Sequence, residues 1–177
     1  IRANKSLGLA HEKRGDFKTA VQFHERHSEL ASNETQRSEA DRNLIRAYMK
    51  YAEILEKDGE FEESTRVHEK RLNCAERLDE DVSLGDAHYR LGCALTKSGR
   101  AKESIEHLDM FMSCLETTRD VDGERRAYAA LAEAYEALDN TDAALSSLQH
   151  MLNCAKRSEH LESQAEACFR LGKIYQN

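Results

Sequence analysis

The stretch LGLAHEKRGDFKTAVQF, Leu7 to Phe23, decides the fold. Leu7, Gly8 and His11 share one face at helical spacing, Gly15-Asp16 interrupts, and Phe17, Ala20, Val21 and His24 restart the 3.6-residue period. That pattern predicts a helix, a tight turn and a second helix. The same phase returns in YAEILEKDGEFEEST from Tyr51, LGCALTKSGRAKES from Leu91 and LAEAYEALDNTDAAL from Leu131, and LGKIY from Leu171 opens a fifth copy. The small residues Gly8, Ala52, Gly92, Ala132 and Gly172 are separated by 44, 40, 40 and 40 positions, and Gly15, Gly59 and Gly99 by 44 and 40.

A period of this length means stacked units, each burying its apolar face on its neighbours. It predicts an all-α chain of about nine helices. The first helices of the pairs are expected near Arg2–Lys13, Gln36–Lys57, Leu84–Lys97, Gly123–Leu138 and Leu161–Gln176. The second are expected near Phe17–Ser32, Phe61–Leu78, Ala101–Thr117 and Asp142–Arg157. The small residue of each first helix marks where it meets the second, because only a small side chain lets the axes approach to ~8–10 Å. Extra residues within SNETQRSEADRNLI, Ser32 to Ile45, add about one turn to the first helix of the second repeat.

With 177 residues, 40% hydrophobic and 33% charged, the chain reads as a soluble, helix-rich protein, and no apolar run approaches the ~18 residues of a membrane span. The absence of proline leaves the helices uninterrupted between turns. One domain is expected over 1–177, with repeats at about 1–33, 36–79, 84–118, 123–158 and a final helix 161–177. A start without methionine and a stop inside a fifth pair suggest a fragment of a longer protein. The net charge of −7, with Lys and Arg dispersed, argues against nucleic acid, whose backbone demands a basic field.

Five cysteines and eight histidines invite a metal or a disulfide. Cys74, Cys114 and Cys154 recur one repeat apart, too far for a bond whose Cα atoms stand ~5.5–6 Å apart, so they read as core thiols suited to a reducing cytoplasm. Cys168 takes the packing slot of Tyr48, His88 and Tyr128. No CxxC occurs, and in His24-Glu25-Arg26-His27 the histidines are three apart instead of the four that a zinc-protease helix needs. His24 and His68 share a repeat position with Leu108 and Leu148, so packing explains them. Arg14-Gly15-Asp16 is an interhelical turn. No metal, cofactor or catalytic residue is expected; an enzyme would call for a bound metal or a thiol of lowered pKa near Cys93.

Leucine or tyrosine, then glycine or alanine, then a large residue three later (His11, Leu55, Leu95, Tyr135, Tyr175), with alanine or serine in the second helix (Ala20, Ser64, Ser104, Ala144), resembles the tetratricopeptide repeat over nearly the whole chain. The resemblance implies a right-handed superhelical solenoid of antiparallel helix pairs whose first helices line a peptide-binding groove. The groove positions are Lys5, Leu9 and Glu12; Met49, Glu53 and Glu56; Tyr89, Cys93 and Thr96; Ala129, Glu133 and Glu136; and Phe169, Lys173 and Gln176, with Arg90 and Arg170 beside them. Apolar and charged residues alternate there, which suits an extended or helical protein segment, and the glutamates favour a partner with basic residues. Lys5 matches the first lysine of the chaperone-type carboxylate clamp, but Leu9 stands where that clamp has asparagine.

Two branches of the family resemble parts of the chain more closely. His24-Glu25-Arg26-His27 and His68-Glu69-Lys70-Arg71 look like the spindle-orientation adaptors related to Pins, although their groove asparagine is here Leu9, Glu53, Cys93, Glu133 or Lys173. The joint RLDEDVSLGDAHYRLGCALTKSGRAKESIEHL, Arg77 to Leu108, is similar to that of a flagellar branch. That similarity implies a non-catalytic scaffold of the ciliary axoneme, cytoplasmic and cytoskeletal, with a dynein-associated protein partner and a role in flagellar motility. A spindle or motor-cargo adaptor of the Pins or kinesin-light-chain type is the alternative.

Overall fold

The computed structural model describes residues 2–78, 81–116 and 118–176. Among these every regular element is a helix: α1 (Arg2–Lys13), α2 (Phe17–Glu29), α3 (Glu34–Lys57), α4 (Phe61–Leu78), α5 (Asp81–Lys97), α6 (Ala101–Leu115), α7 (Val121–Ala137), α8 (Thr141–Arg157) and α9 (Leu161–Gln176). They form two compact units, 1–87 and 88–177, and the division falls within α5. Three starts differ from the expected ones by two or three residues, at α3, α5 and α7, α8 starts one residue early, and α2 ends three residues early. The expected end of the sixth helix, Thr117, lies outside the described residues. The early start of α3 has a visible cause: Asn33 accepts a hydrogen bond from the Gln36 amide, capping the helix one residue before Glu34. At 24 residues α3 is the longest helix described, as the extra turn in the sequence requires.

The turn within each pair is the same backbone device. After α1 the Asp16 amide donates to the His11 carbonyl at 3.0 Å and the Gly15 amide to Glu12 at 2.9 Å. Such bonds satisfy carbonyls that a helix end leaves without partners, and they need a left-handed residue between. Gly15 (φ 78°), Gly59 (78°) and Gly99 (82°) supply it, and in the fourth pair Asp139 takes the same conformation at φ 55°. Asp16 and Asn140 then cap the second helix, accepting from Thr19 and Ala143 amides.

Packing follows the small-residue series. In unit 1 a Cβ on Gly8 would lie 2.5 Å from the His24 ring, and in unit 2 one on Gly92 would lie 2.8 Å from Leu108. Ala52 and Ala132 are fully buried at the equivalent positions. Contacts within a pair join residues whose numbers rise on one helix as they fall on the other, as with Asp41–Arg77 and Glu56–Ser64, so the pairs are antiparallel. Lys5–Glu39 and Glu12–Arg46 are both 34 apart, so α1 and α3 run parallel. It follows that α2 and α4 are parallel too. Around α3 the unit 1 core gathers Val21, Leu44, Tyr48, Leu55 and Val67; unit 2 buries Leu108, Leu131, Leu148 and Met151. Each such side chain contributes about 1.5–3 kcal/mol by leaving water.

Candidate protein-binding face

In unit 1 the helices α1 and α3 carry the expected face, and most of its polar groups already have partners. Lys5 is paired with Glu39. Glu12 accepts from Arg46 Nε at 2.8 Å and Nη2 at 3.0 Å and meets His24 Nε2 at 2.7 Å. Burial alone would raise the pKa of the Glu12 carboxyl, but the hydrogen bonds from Arg46 and His24 and the Arg46 charge outweigh it and leave the value lowered. Lys50 donates to Glu53 at 2.9 Å, and Glu56 lies 3.3 Å from His68 Nε2 and 3.4 Å from the Ser64 hydroxyl. Leu9 and Met49 are half-buried between them.

Unit 2 divides the face differently. Tyr89 is built into the core: its ring lies 5.1 Å from that of Phe111, the Arg126 guanidinium stands 5.0 Å above it, and burial pushes its hydroxyl up to about 12. Cys93 packs in the same cluster, and burial pushes its thiol up to about 11, opposite to the shift that an activated nucleophile shows. Thr96 donates to Ser104 at 2.8 Å, and Arg90 and Ala129 are half-buried. Glu136 and Arg170 form a two-point pair, Oε1–Nε 3.2 Å and Oε2–Nη2 3.1 Å. What remains open is Glu133, Phe169, Lys173 and Gln176. Phe169 is 65% exposed with the Lys173 ammonium 5.2 Å from its ring centre. Crowding by its neighbours raises the Glu133 pKa through desolvation, with Glu166 and Glu136 adding to the effect and Arg170 and Lys97 opposing it.

Periodicity alone did not show these internal pairs. His24 and His68 are both buried, and each meets a glutamate twelve residues before it, a Glu-x11-His spacing visible in the sequence once the helix pair is assumed. His88 Nδ1 meets His107 Nδ1 at 3.0 Å across α5 and α6. Cys74 and Cys154 are buried as core thiols, each beside an arginine and an acid: Arg77 with Asp41, and Arg157 with Glu124. Cys168, expected to pack, is exposed on α9. No disulfide is formed by the five cysteines. No helix among the described residues is long and apolar enough to cross a membrane.

Antiparallel helix pairs with a small residue at the close approach and a left-handed turn within each pair are the architecture of tetratricopeptide-repeat solenoids. The tetratricopeptide repeat model matches residues 5–38 and 127–162. Along its length the chain is similar to tetratricopeptide repeat protein 29 of Trypanosoma brucei brucei, 26% identical over 173 residues, covering 96% of this chain and 36% of the relative. It is likewise similar to tetratricopeptide repeat protein 29 of Macaca fascicularis, 22% identical over 181 residues, covering 98% and 38%. The chain thus spans little more than a third of these curated relatives. Among solved structures, the TPR domain of P58(IPK) shares the fold with a TM-score of 0.56 at 14% identity, over 98% of this chain and 55% of that one.

Proposed function

We propose that this chain is a non-catalytic scaffold that holds a segment of another protein against the first helices of its repeats, within an axonemal assembly associated with dynein. The observation that carries the binding reading is Glu133, an acidic side chain exposed on α7 while Tyr89 and Cys93 of the same face are packed away. A basic residue of the partner would neutralise it. The raised thiol of Cys93 supports the absence of covalent catalysis. The axonemal reading rests on the similarity to tetratricopeptide repeat protein 29 across nearly all of this chain.

The test is affinity capture of the full-length protein from flagellated cells, wild type beside a Glu133→Arg variant whose circular dichroism matches wild type. Capture of a dynein-associated protein by wild type alone is the expected result. Equal capture by both removes this face from the proposal, and a spindle or cortical location of the tagged protein overturns the axonemal reading.

A further inference from the structure

Between the parallel helices α2 and α4 lies a cleft of about 630 Å3, entirely within unit 1 and sharing no residue with the face just described. Glu25 and Glu29 of α2 form one wall, Lys70 and Arg77 of α4 the other, and Leu44 and Tyr48 of α3 the floor. A single latch spans it: Lys70 Nζ reaches Glu25 Oε1 at 2.8 Å, and the Tyr48 hydroxyl donates to the same oxygen at 2.7 Å. Beyond the latch a second hollow of about 160 Å3 continues between the same helices and shares Glu25, Tyr48 and Lys70. The two hollows are one channel divided by one ion pair.

We propose that this channel is a docking groove for an extended peptide segment whose side chains alternate between basic and acidic. Three observations select that occupant. The walls come close enough for one ion pair to bridge them, which leaves no room for a helix ~10 Å across but admits a single extended strand. In the larger hollow the walls are of opposite sign, with Arg77 held by Asp41. An extended chain directs successive side chains to opposite sides, so alternation there presents bases to α2 and acids to α4, whereas in the smaller hollow Lys18 of α2 faces Glu63 of α4. On the α2 wall the pitch agrees, since Glu25 and Glu29 are one helical turn, ~6 Å, apart and a strand repeats each side every ~6.6 Å. The side chains of Glu29, Arg37 and Asn73, all exposed along the channel, form no hydrogen bond or ion pair among the described residues. The latch opens by exchange: a basic side chain of the peptide replaces Lys70 on Glu25, and an acidic one replaces Glu25 on Lys70.

The test uses the whole 177-residue chain, a fluorescent ten-residue peptide of strictly alternating Lys and Glu, and its isomer with five Lys followed by five Glu. Both peptides are neutral, so bulk attraction to the chain is the same for each. Alternation also places like charges at i and i+4, which disfavours a helix. Fluorescence anisotropy at ~0.15 M salt, where distant charges are screened, is expected to show the alternating peptide binding at least tenfold more tightly than the block isomer. Glu29→Lys, and separately Asn73→Trp, which fills the channel without changing its charge, should each weaken it tenfold or more, whereas Phe169→Ala should not. Equal binding of the two isomers, or full binding by the Glu29→Lys and Asn73→Trp variants, overturns the proposal. Sedimentation showing a dimer that Glu29→Lys dissolves would assign the channel to a second copy of the chain and overturn it as well.

Discussion

At the scale of single residues the repeat is a set of matched sizes, and the match can be broken or left alone at will. Gly8→Ala forces a methyl against the His24 ring, and Gly92→Ala one against Leu108 and the Ser104 carbonyl; each should cost about 1–3 kcal/mol in urea unfolding. In the 177-residue chain Gly172→Ala meets nothing within 4 Å among the described residues and should stabilise that chain by about 0.5–1 kcal/mol, since alanine is the better helix former. His24 carries a second consequence. Burial lowers its pKa, more than the neighbouring Glu12 carboxylate raises it. His27 is lowered by burial despite Glu39, and His88 by burial and then by His107. These rings stay neutral in the folded chain while the unfolded chain takes up protons below its ordinary value of 6.5. Stability from them is therefore full above that value and is lost as pH falls below it; Glu12, held below 4.5, adds a further loss at lower pH. The urea midpoint should fall between pH 7.5 and 5.5, and His24→Leu, the residue type found at 108 and 148, should flatten part of that fall.

At the scale of elements the helices and turns were legible in the sequence because their signals are local. Gly15, Gly59 and Gly99 announced three of the left-handed turns, and the phase of the small residues placed the contact within each pair. The turn at Leu138-Asp139-Asn140 carries no glycine, so only the repeat period revealed it. The state of the binding face was less legible. Period places Glu12, Glu56 and Tyr89 on the first helices, but whether each is open depends on side chains far off in sequence: Arg46 at 34 residues, His68 at twelve, Phe111 on the following helix. The junctions offer a test of their own. Asn140→Ala removes the cap on the Ala143 amide and should cost about 1 kcal/mol in urea unfolding. Glu159, left-handed at φ 55° before α9, is a residue type poorly suited to that conformation, and Glu159→Gly should raise stability by up to about 1 kcal/mol.

At the scale of the whole chain, internal pairing and outward function compete for the same charged residues. A net charge of −7 suggests a broadly acidic binding surface, but Glu12, Glu53 and Glu136 are paired with Arg46, Lys50 and Arg170, and Glu56 is engaged by the Ser64 hydroxyl and His68. The acidic recognition expected from the sequence narrows to Glu133. A Glu133→Arg variant should therefore unfold within ~2 °C of wild type, because that side chain lies at the surface. The same variant should lose its captured partner, which separates recognition from folding in one comparison.

Cys168 is the exposed thiol of the five and adjoins Phe169 on α9. Burial raises the pKa of the thiols of Cys74, Cys93 and Cys154, which leaves them protonated near neutral pH. A maleimide dye added briefly at pH 7 should thus attach first at Cys168, with no engineered cysteine. The label would report in real time on whatever settles over its aromatic neighbour.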